Sequence, residues 1–306
     1  MPPYSEQSDY VVATVDAIIL NDKDEVLLIR RGNGPYQNSW VLPGGRIELD
    51  DPTAAAAIRR EVREEVGLVI TTEHFFKAYS RPDRDPRFHS VAFVYICRVI
   101  GGESTKTKEA LEIKFFGSGY LPPDMGFDHH DMVRDFFACD RTKLPTAFDD
   151  PTPNPYALEW SKVGYTGQFK YVTLSADTIV ENSAGEILLT LRAKKWCTDT
   201  WIAPGGHMKV GETLEETAKR EVMEEANIEI NLKNILGLYY EPFRNPSIPT
   251  ATAIFIADYV SGTPFKNVEA SDFRWVRPEQ LPTPLGFDYD KILRDYKTYI
   301  TQQNSA

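Results

Sequence analysis

Apolar residues form two similar series along the chain, one in each half. Each series begins with two strand-like runs around a short polar turn, a spacing that predicts a β-hairpin. Another strand and a short closing helix follow. These predicted elements are strands at 11–20, 26–30 and 90–99 with a helix at 132–137, and strands at 171–180, 187–191 and 251–259 with a helix at 292–299. Strands and helices mixed in this way predict an α/β or α+β fold.

A longer helix is predicted between the hairpin and the later strands of each half. Its buried stripe recurs at four-residue steps. The stripe residues are Ile58, Val62 and Val66 in the first half and Leu214, Ala218, Val222 and Ala226 in the second. Gly67 and Asn227 follow these helices, where a left-handed C-terminal cap is expected. Both residue types tolerate that conformation, so we predict that both helices end there.

The two halves are copies of one domain. Three segments recur at offsets of 160 or 161 residues: 40–45 at 201–206, 60–65 at 220–225, and 126–128 at 286–288. A match sustained along each half indicates duplication of a whole domain. Between the copies, residues 145–155 contain four prolines, which resist regular structure. We therefore predict domains at 1–145 and 169–306, with a linker at 146–168.

Composition narrows the functional classes. The chain has 306 residues, a formal net charge of -11 and three cysteines. The cysteines are too widely spaced to predict a disulfide framework or a zinc site. No apolar run approaches the ~20 residues of a membrane span, and the start of the sequence lacks signal-peptide features, so we expect a cytoplasmic protein without a membrane partner. The net acidity also argues against a nucleic-acid partner.

Carboxylates converge on the face of the first helix opposite its buried stripe. Glu61, Glu64 and Glu65 stand at i, i+3 and i+4, so their charges crowd together. The second helix repeats this arrangement with Glu221, Glu224 and Glu225. A hard divalent cation among the oxygens would relieve the repulsion, and Mg²⁺ prefers such ligands together with phosphates.

Glycine pairs precede both helices. Gly44-Gly45 and Gly205-Gly206 allow a sharp turn and a close approach of the backbone to metal or phosphate. We therefore include Gly45 and Gly206 with the six carboxylates in the predicted metal sites.

These segments resemble the Nudix box, Gly-x5-Glu-x7-Arg-Glu-(apolar)-x-Glu-Glu-x-Gly-(apolar). The second half fits at Gly206, Glu212, Arg220, Glu221, Val222, Glu224, Glu225 and Ile228, with Asn227 replacing the last glycine. The first half fits at Gly45, Arg60, Glu61, Val62, Glu64, Glu65, Gly67 and Leu68. It has one extra residue before Arg60, which puts Pro52 at the middle glutamate position and leaves Asp51 or Glu48 as substitutes.

The resemblance implies two tandem α/β/α sandwich domains with mixed sheets, which we expect to pack as an intramolecular pseudo-dimer within a monomer or homodimer. It also implies hydrolysis of a nucleoside diphosphate derivative with Mg²⁺, or alternatively Mn²⁺. Arg60 and Arg220 are expected to orient neighbouring glutamates or to form ordinary surface ion pairs. The residues expected to act in catalysis are Glu64, Glu65, Glu224 and Glu225, with Glu109 and Glu269 as candidate bases or further ligands.

Substrate predictions rest on two loop segments. Residues 79–87 and 127–129 resemble the ADP-ribose pyrophosphatase branch of the family. Arginines in such a loop can form paired hydrogen bonds with a phosphate, and the candidates are Arg81, Arg84, Arg87 and, in the second half, Arg244. The small-molecule substrate is thus predicted to be ADP-ribose or a related nucleotide sugar, cleaved in the case of ADP-ribose to AMP and ribose 5-phosphate.

Several alternatives remain at the level of sequence. NADH, dinucleoside polyphosphates, nucleoside triphosphates and capped RNA are other Nudix substrates. One domain could instead be a structural or ligand-sensing module. A transcription regulator with an attached winged helix is disfavoured, because only 18 residues follow Asp288 and the chain is acidic. The second half lacks the first half's Asp-Pro-Arg segment, so the two sites are expected to be unequal.

Overall fold

The structure is a computed structural model that describes residues 10–149, 155–162, 164–165, 169–245 and 247–305. Its internal contacts divide the chain into two units, Met1–Asp150 and Pro151–Ala306. Each unit is built around its own mixed sheet.

The first unit has a seven-stranded sheet with two principal helices. Its elements are β1 (Val12–Leu20), β2 (Val26–Arg31), β3 (Trp40–Val41), β4 (Gly44–Arg46), α1 (Ala54–Val66), β5 (Leu68–Tyr79), β6 (Ser90–Gly102), β7 (Ala110–Phe116) and α2 (His129–Ala138). The main strand order is β3-β2-β1-β6-β5, with β4 also paired to β1 and β7 to β2. Strands β1 and β6 run parallel.

The second unit repeats this topology after a short extra helix. Its elements are α3 (Pro155–Trp160), β8 (Thr173–Glu181), β9 (Ile187–Arg192), β10 (Trp201–Ile202), β11 (Gly205–His207), α4 (Leu214–Ala226), β12 (Ile228–Tyr239), β13 (Thr250–Gly262), β14 (Ala270–Val276) and α5 (Tyr289–Ser305). The order β10-β9-β8-β13-β12 matches the first sheet strand for strand. The two similar mixed-sheet domains confirm the predicted fold class and the duplication.

Strand β1 is occupied along both edges, and this positions the glycine turn. One edge pairs with β6 from Val12 to Leu20, while β4 covers the other edge around Val15, so that Gly44 lies opposite Asp16. Strands β1 and β2 therefore pair with each other only at their ends next to the turn, where Leu20 lies opposite Val26. The predicted hairpin forms, but its strands diverge to admit the glycine segment.

Helices α1 and α4 end as the sequence predicts. Their apolar stripes are fully buried, which leaves the carboxylate face turned toward the glycine turn. Thr53 and Thr213 cap the first turns by accepting backbone N–H groups. Gly67 and Asn227 adopt left-handed φ values of 76° and 51°. Both C-terminal predictions are confirmed.

The described part of the predicted linker is not free of the domains: its beginning packs against the first unit and its helix packs within the second. Backbone bonds attach its beginning to β5, with Ala147 N–H donating to the carbonyl of Glu73 (3.0 Å), and Asp149 accepts from the hydroxyl of Thr53 (2.6 Å). Later in the linker, α3 packs within the second unit. Residues 150–154, 163 and 166–168 lie outside the described part of the chain. Among the described helices, none is both long and apolar enough to span a membrane.

Candidate active site

The glycine turn of the first unit closes directly over the carboxylates of α1. The backbone N–H of Gly44 donates to Oε2 of Glu65 (3.0 Å), and the residue Glu65 is only 5% exposed to solvent. A Cβ added to Gly45 would stand 2.4 Å from the carboxyl carbon of Glu61. The backbone of Gly45 therefore lies directly against the Glu61 carboxylate, so the turn and the acidic face form one site.

The second unit has the same arrangement. The N–H of Gly205 donates to Oε2 of Glu225 (3.1 Å). A Cβ on Gly206 would lie 2.5 Å from the carboxyl carbon of Glu221. The duplication therefore extends to the atomic contacts of the site.

Arg60 ties the carboxylates of the first site together. Its Nε and Nη2 donate to Asp51 (3.0 and 2.8 Å), while Nη1 donates to Glu61 (2.9 Å) and Glu64 (3.3 Å). Nη2 also reaches the carbonyl of Arg46 (3.0 Å). The guanidinium thus holds α1 and the loop after the glycine turn in a fixed relation.

Arg220 forms the matching network in the second site. Its Nε and Nη2 donate to Glu212 (2.7 and 2.9 Å), and Nη1 donates to Glu221 (2.5 Å) and Glu224 (3.1 Å). Nη2 also reaches the carbonyl of His207 (3.1 Å). Hydrogen bonding to Arg220 lowers the pKa of Glu212 to about 2, despite the opposing effect of partial burial. This glutamate is therefore a charged anchor for the arginine.

The first site replaces Glu212 with Asp51. Asp51 is buried and accepts two bonds from Arg60, and it also accepts the N–H of Glu48 (2.8 Å). Glu48 itself is mostly exposed, with its carboxylate 4.0 Å from the guanidinium. Of the two substitutes left open by the sequence, the structure therefore selects Asp51.

Changing Asp51 to Asn is expected to destabilise the first unit by about 2 kcal/mol, because buried hydrogen bonds to a charged group are lost. Activity of that site should fall roughly tenfold as Arg60 ceases to hold Glu61 and Glu64. Glu212→Gln should have parallel effects on the second unit. Urea unfolding measures the change in stability, and kcat measures the change in activity. Glu48→Gln is the matched control, and equal losses in Glu48→Gln and Asp51→Asn would contradict the assignment.

A second carboxylate lies beside each buried glutamate. Burial raises the pKa of Glu65 to about 8, and the negative charges of Glu61 and Glu109 add to this effect. Burial likewise raises the pKa of Glu225 to about 8, and both the hydrogen bond that protonated Glu225 donates to Glu269 and the negative charge of Glu269 add to this effect. Each predicted loop carboxylate is thus an electrostatic neighbour of a helix glutamate.

The contacts of the two loop carboxylates differ. Glu269 also pairs with Lys194 (2.5 Å), and this pairing helps to lower the pKa of Glu269 although its partial burial opposes the shift. The carbonyls of Glu109 and Glu269 accept equivalent backbone bonds, from Gly32 and Ala193 (both 2.8 Å). The two loops are therefore held alike, while only Glu269 is tied to a lysine.

The four predicted substrate arginines fall into two groups. Arg84 and Arg244 are buried. Arg84 donates from Nε and Nη2 to Asp128 (3.1 and 2.8 Å), whereas Nε of Arg244 donates to both carboxylate oxygens of Asp288 (both 2.8 Å). Their guanidinium groups are engaged inside the protein, where they anchor the start of the closing helix. Through these bonds the two arginines stabilise the loops around the site from inside the protein.

The other two arginines lie at the surface. Arg81 is 62% exposed and pairs with Asp83 (3.2 Å). Arg87 is partly exposed, makes paired bonds with Asp85 and stands over the ring of Phe127 at 5.9 Å. Of the four, Arg87 combines accessibility with proximity to Phe127, an aromatic residue that recurs in the second half as Phe287.

Comparison with known proteins agrees with this geometry. The NUDIX domain profile matches residues 11–136 and 172–296. The chain belongs to the NUDIX domain family. Its two units are Nudix domains, and the protein is a Nudix-type hydrolase.

Individual relatives match parts of this Nudix chain. An ADP-ribose pyrophosphatase of Methanocaldococcus jannaschii is 41% identical over 122 residues, which is 40% of this chain and 70% of the relative. An 8-oxo-dGDP phosphatase of Homo sapiens is 39% identical over 100 residues, covering 33% of this chain and 29% of the relative. A bifunctional NMN adenylyltransferase/ADP ribose pyrophosphatase structure from Francisella tularensis aligns at 25% identity and TM-score 0.37, covering 43% and 42%.

Sequence reasoning missed an arginine in each Nudix domain. Arg31 donates from Nε to the carbonyl of Pro35 (3.0 Å) and stands 5.4 Å from the centre of the Phe127 ring. Arg192 repeats both features, donating to a carbonyl at 2.9 Å and standing 5.3 Å from Phe287. The two arginines are 161 residues apart, so the repeat offset was a usable signal.

A buried aspartate behind each glycine turn was also missed. Burial raises the pKa of Asp16 to about 7 and that of Asp177 to about 6. Asp177 accepts a bond from the hydroxyl of Tyr289 (2.7 Å). In the first domain His129 takes the tyrosine's place and accepts the N–H of Leu42 at Nδ1 (2.8 Å). The two aspartates obey the same 161-residue offset.

The donor set fits a hard divalent cation. Each site offers several carboxylate oxygens in a cradle that only glycine leaves open, and Mg²⁺ prefers such ligands. Across the described ranges, however, no three His, Cys, Asp or Glu side chains already converge as a metal site. Arg60 and Arg220 currently share these carboxylates. An ion would therefore bind with rearrangement of exposed groups such as Glu64 and Glu224.

Proposed function

We propose that this Nudix hydrolase cleaves the diphosphate linkage of a nucleoside diphosphate derivative, with ADP-ribose as the preferred substrate and AMP and ribose 5-phosphate as products. The observation that carries the proposal is the duplicated acidic cluster, in which one arginine, one glycine turn and three helix glutamates recur with the same contacts. The Methanocaldococcus jannaschii relative named ADP-ribose pyrophosphatase supports the substrate.

Mg²⁺ is the proposed cofactor, with Mn²⁺ able to replace it. Glu61, Glu64 and Glu65 would hold it in the first domain, beside the backbone of Gly45. The matching set in the second domain is Gly206, Glu221, Glu224 and Glu225. When bound, the metal supplies positive charge to the diphosphate and increases the acidity of an attacking water.

We assign proton acceptance to the buried glutamate of each site, which is Glu65 in the first domain and Glu225 in the second. Burial favours the protonated form of Glu65 and Glu225 while no cation is bound, and a bound cation would favour their charged form. A carboxylate with a pKa near neutrality is suited to general acid–base work. Glu109 and Glu269 are the alternative bases, because each contributes to the electrostatic environment of its buried neighbour.

Recognition of the diphosphate in the first domain is assigned to Arg31 and Arg87. Both guanidinium groups stand over the Phe127 ring, at 5.4 and 5.9 Å. Burial lowers the pKa of Arg31, and the positive charge of Arg87 adds to this effect. The guanidinium groups of Arg31 and Arg87 carry like charges beside the same ring, and an anion bound between them would relieve their repulsion. Arg81 can add charge at the rim, whereas Arg84 supports the loop from inside.

A second candidate is hydrolysis of an oxidised purine nucleotide. It is favoured by the human relative named 8-oxo-dGDP phosphatase. Such a substrate would use the same carboxylates and the same aromatic position, but it carries no second ribose. Product analysis therefore separates the two candidates.

The test is a metal-dependent substrate panel with the full chain. ADP-ribose, NADH, a dinucleoside polyphosphate, 8-oxo-dGDP and a nucleoside triphosphate are compared with Mg²⁺, Mn²⁺ or a chelator, and products are identified by mass spectrometry. We expect the highest kcat/KM for ADP-ribose, with AMP and ribose 5-phosphate as products and no turnover with chelator. A higher kcat/KM for any other compound would overturn the substrate assignment.

A further inference from the structure

The aromatic wall beside the first site is open to solvent. Tyr36 packs against Phe127 with ring centres 4.6 Å apart, and Tyr36 remains 41% exposed. Arg31 stands over the same Phe127 ring. A planar group placed on this wall would therefore contact rings next to the proposed diphosphate-binding arginines.

The second domain lacks this tyrosine. At the 161-residue offset, Cys197 replaces Tyr36, and its Sγ accepts the backbone N–H of Phe287 (3.3 Å). Arg192 still stands over the Phe287 ring. The phenylalanine and the arginine are thus retained, while the tyrosine that packs on the phenylalanine is replaced by a cysteine.

Helix α3 supplies the missing ring. Trp160 makes edge contacts with Phe287 (6.0 Å) and with Trp196 (5.8 Å), and it is only 8% exposed. Tyr156 stacks on Trp160 at 5.5 Å and donates its hydroxyl to the carbonyl of Leu285 (3.3 Å). The helix is therefore fastened across the aromatic wall of the second domain.

The segment after α3 makes a further contact with the same domain. Tyr165 stacks on Phe243 with ring centres 4.4 Å apart, and its hydroxyl accepts the N–H of Phe243 (2.9 Å). Phe243 precedes Arg244, the arginine buried behind Phe287. Tyr156 and Tyr165, on either side of Trp160, are therefore both in contact with the second domain.

We propose that Trp160 is a specificity-determining residue of the second site, where it covers the aromatic wall and disfavours substrates that stack a purine there. This inference rests on the proposed function. A purine can stack on the open wall of the first domain, but in the second domain it must first displace a buried tryptophan. The second site consequently favours phosphoanhydrides whose binding needs no stacked purine.

The test removes the covering ring from the full chain. In a background with the first site silenced by Glu64→Gln and Glu65→Gln, Trp160→Ala is expected to lower the KM of the second site for ADP-ribose roughly tenfold, the effect of gaining one base–aromatic contact. The kcat should change little, because Trp160 touches none of the carboxylates. Leu158→Ala, at an exposed position of α3, is the matched control.

A second readout does not depend on turnover. Calorimetric titration with ADP is expected to show about one purine-binding site in the unmutated chain and a second, comparable site after Trp160→Ala. If Trp160→Ala does not fold, Tyr156→Ala provides a milder opening, because it removes the stacking partner and the bond to Leu285.

The outcomes separate the inference from the function on which it rests. An unmutated chain that cleaves no compound of the panel refutes the proposed function, while the ADP titration still tests Trp160. An unchanged KM together with an unchanged number of ADP sites in a folded Trp160→Ala or Tyr156→Ala chain would overturn the inference.

Discussion

Replacing Glu64 and Glu224 together by glutamine is expected to reduce hydrolysis by about 10²- to 10⁴-fold, the range for loss of a positioned acid–base group. Both glutamates are mostly exposed, and each makes a single long bond to its arginine (3.3 and 3.1 Å). Glutamine preserves their shape while removing the charge that a cation requires. The loss should therefore appear in kcat, with the unfolding midpoint almost unchanged.

The single variants divide the activity between the domains. Glu64→Gln reports what remains in the second site, and Glu224→Gln what remains in the first. We expect the larger loss of ADP-ribose hydrolysis from Glu64→Gln, because the first domain has the open aromatic wall and Arg87. Glu215→Gln, an exposed change on α4, is the control. A double variant with full activity would refute the proposed catalytic role of these carboxylates.

The largest expected loss of stability comes from the buried arginines. Arg84→Met should lower the free energy of unfolding of the first unit by about 3–5 kcal/mol, because Asp128 would stay buried without its partner. For a unit of this size the thermal midpoint should fall by roughly 10 °C. Arg244→Met should affect the second unit similarly through Asp288. Differential scanning calorimetry, which separates the two transitions, is the appropriate measurement.

An exposed ion pair in the first unit, Arg30 with Glu112, provides the comparison. Arg30 bonds to Glu112 at 2.9 Å with both side chains at least one-third exposed. Arg30→Met is therefore expected to cost no more than about 1 kcal/mol. If Arg84→Met were equally mild while abolishing ADP-ribose binding, Arg84 would be a substrate ligand and its structural assignment would be wrong.

Local patterns were sufficient to predict helices α1 and α4, the C-terminal ends of both, and the duplication, whereas helix α3 lies in the segment predicted as a linker. The stripe of α1 and the left-handed residue after it depend on neighbours within a few turns, so the sequence contains the necessary information. The repeat then transferred each conclusion from one half to the other. The long strand β5 was less visible, because its middle residues, 71–74, are Thr-Thr-Glu-His rather than an apolar run.

Contacts between distant residues could not be inferred in the same way. Arg84 and Arg87 look equivalent in the sequence, yet one is buried against Asp128 and the other lies at the surface. Only the fold brings Asp128 to Arg84, across 44 residues. Likewise, nothing in the composition of the predicted linker shows that Trp160 would contact Phe287, because that contact depends on the path of the backbone.

The different loops before Arg60 and Arg220 suggest how such sites can be re-engineered. Each loop ends with a carboxylate that accepts two bonds from the same guanidinium edge, although the loops differ by one residue and use Asp51 in one case and Glu212 in the other. We therefore expect that each loop can be exchanged between the domains together with its own carboxylate. Transplanting residues 47–52 in place of 208–212 should succeed as a block, whereas exchanging the acid alone would leave a side chain of the wrong reach.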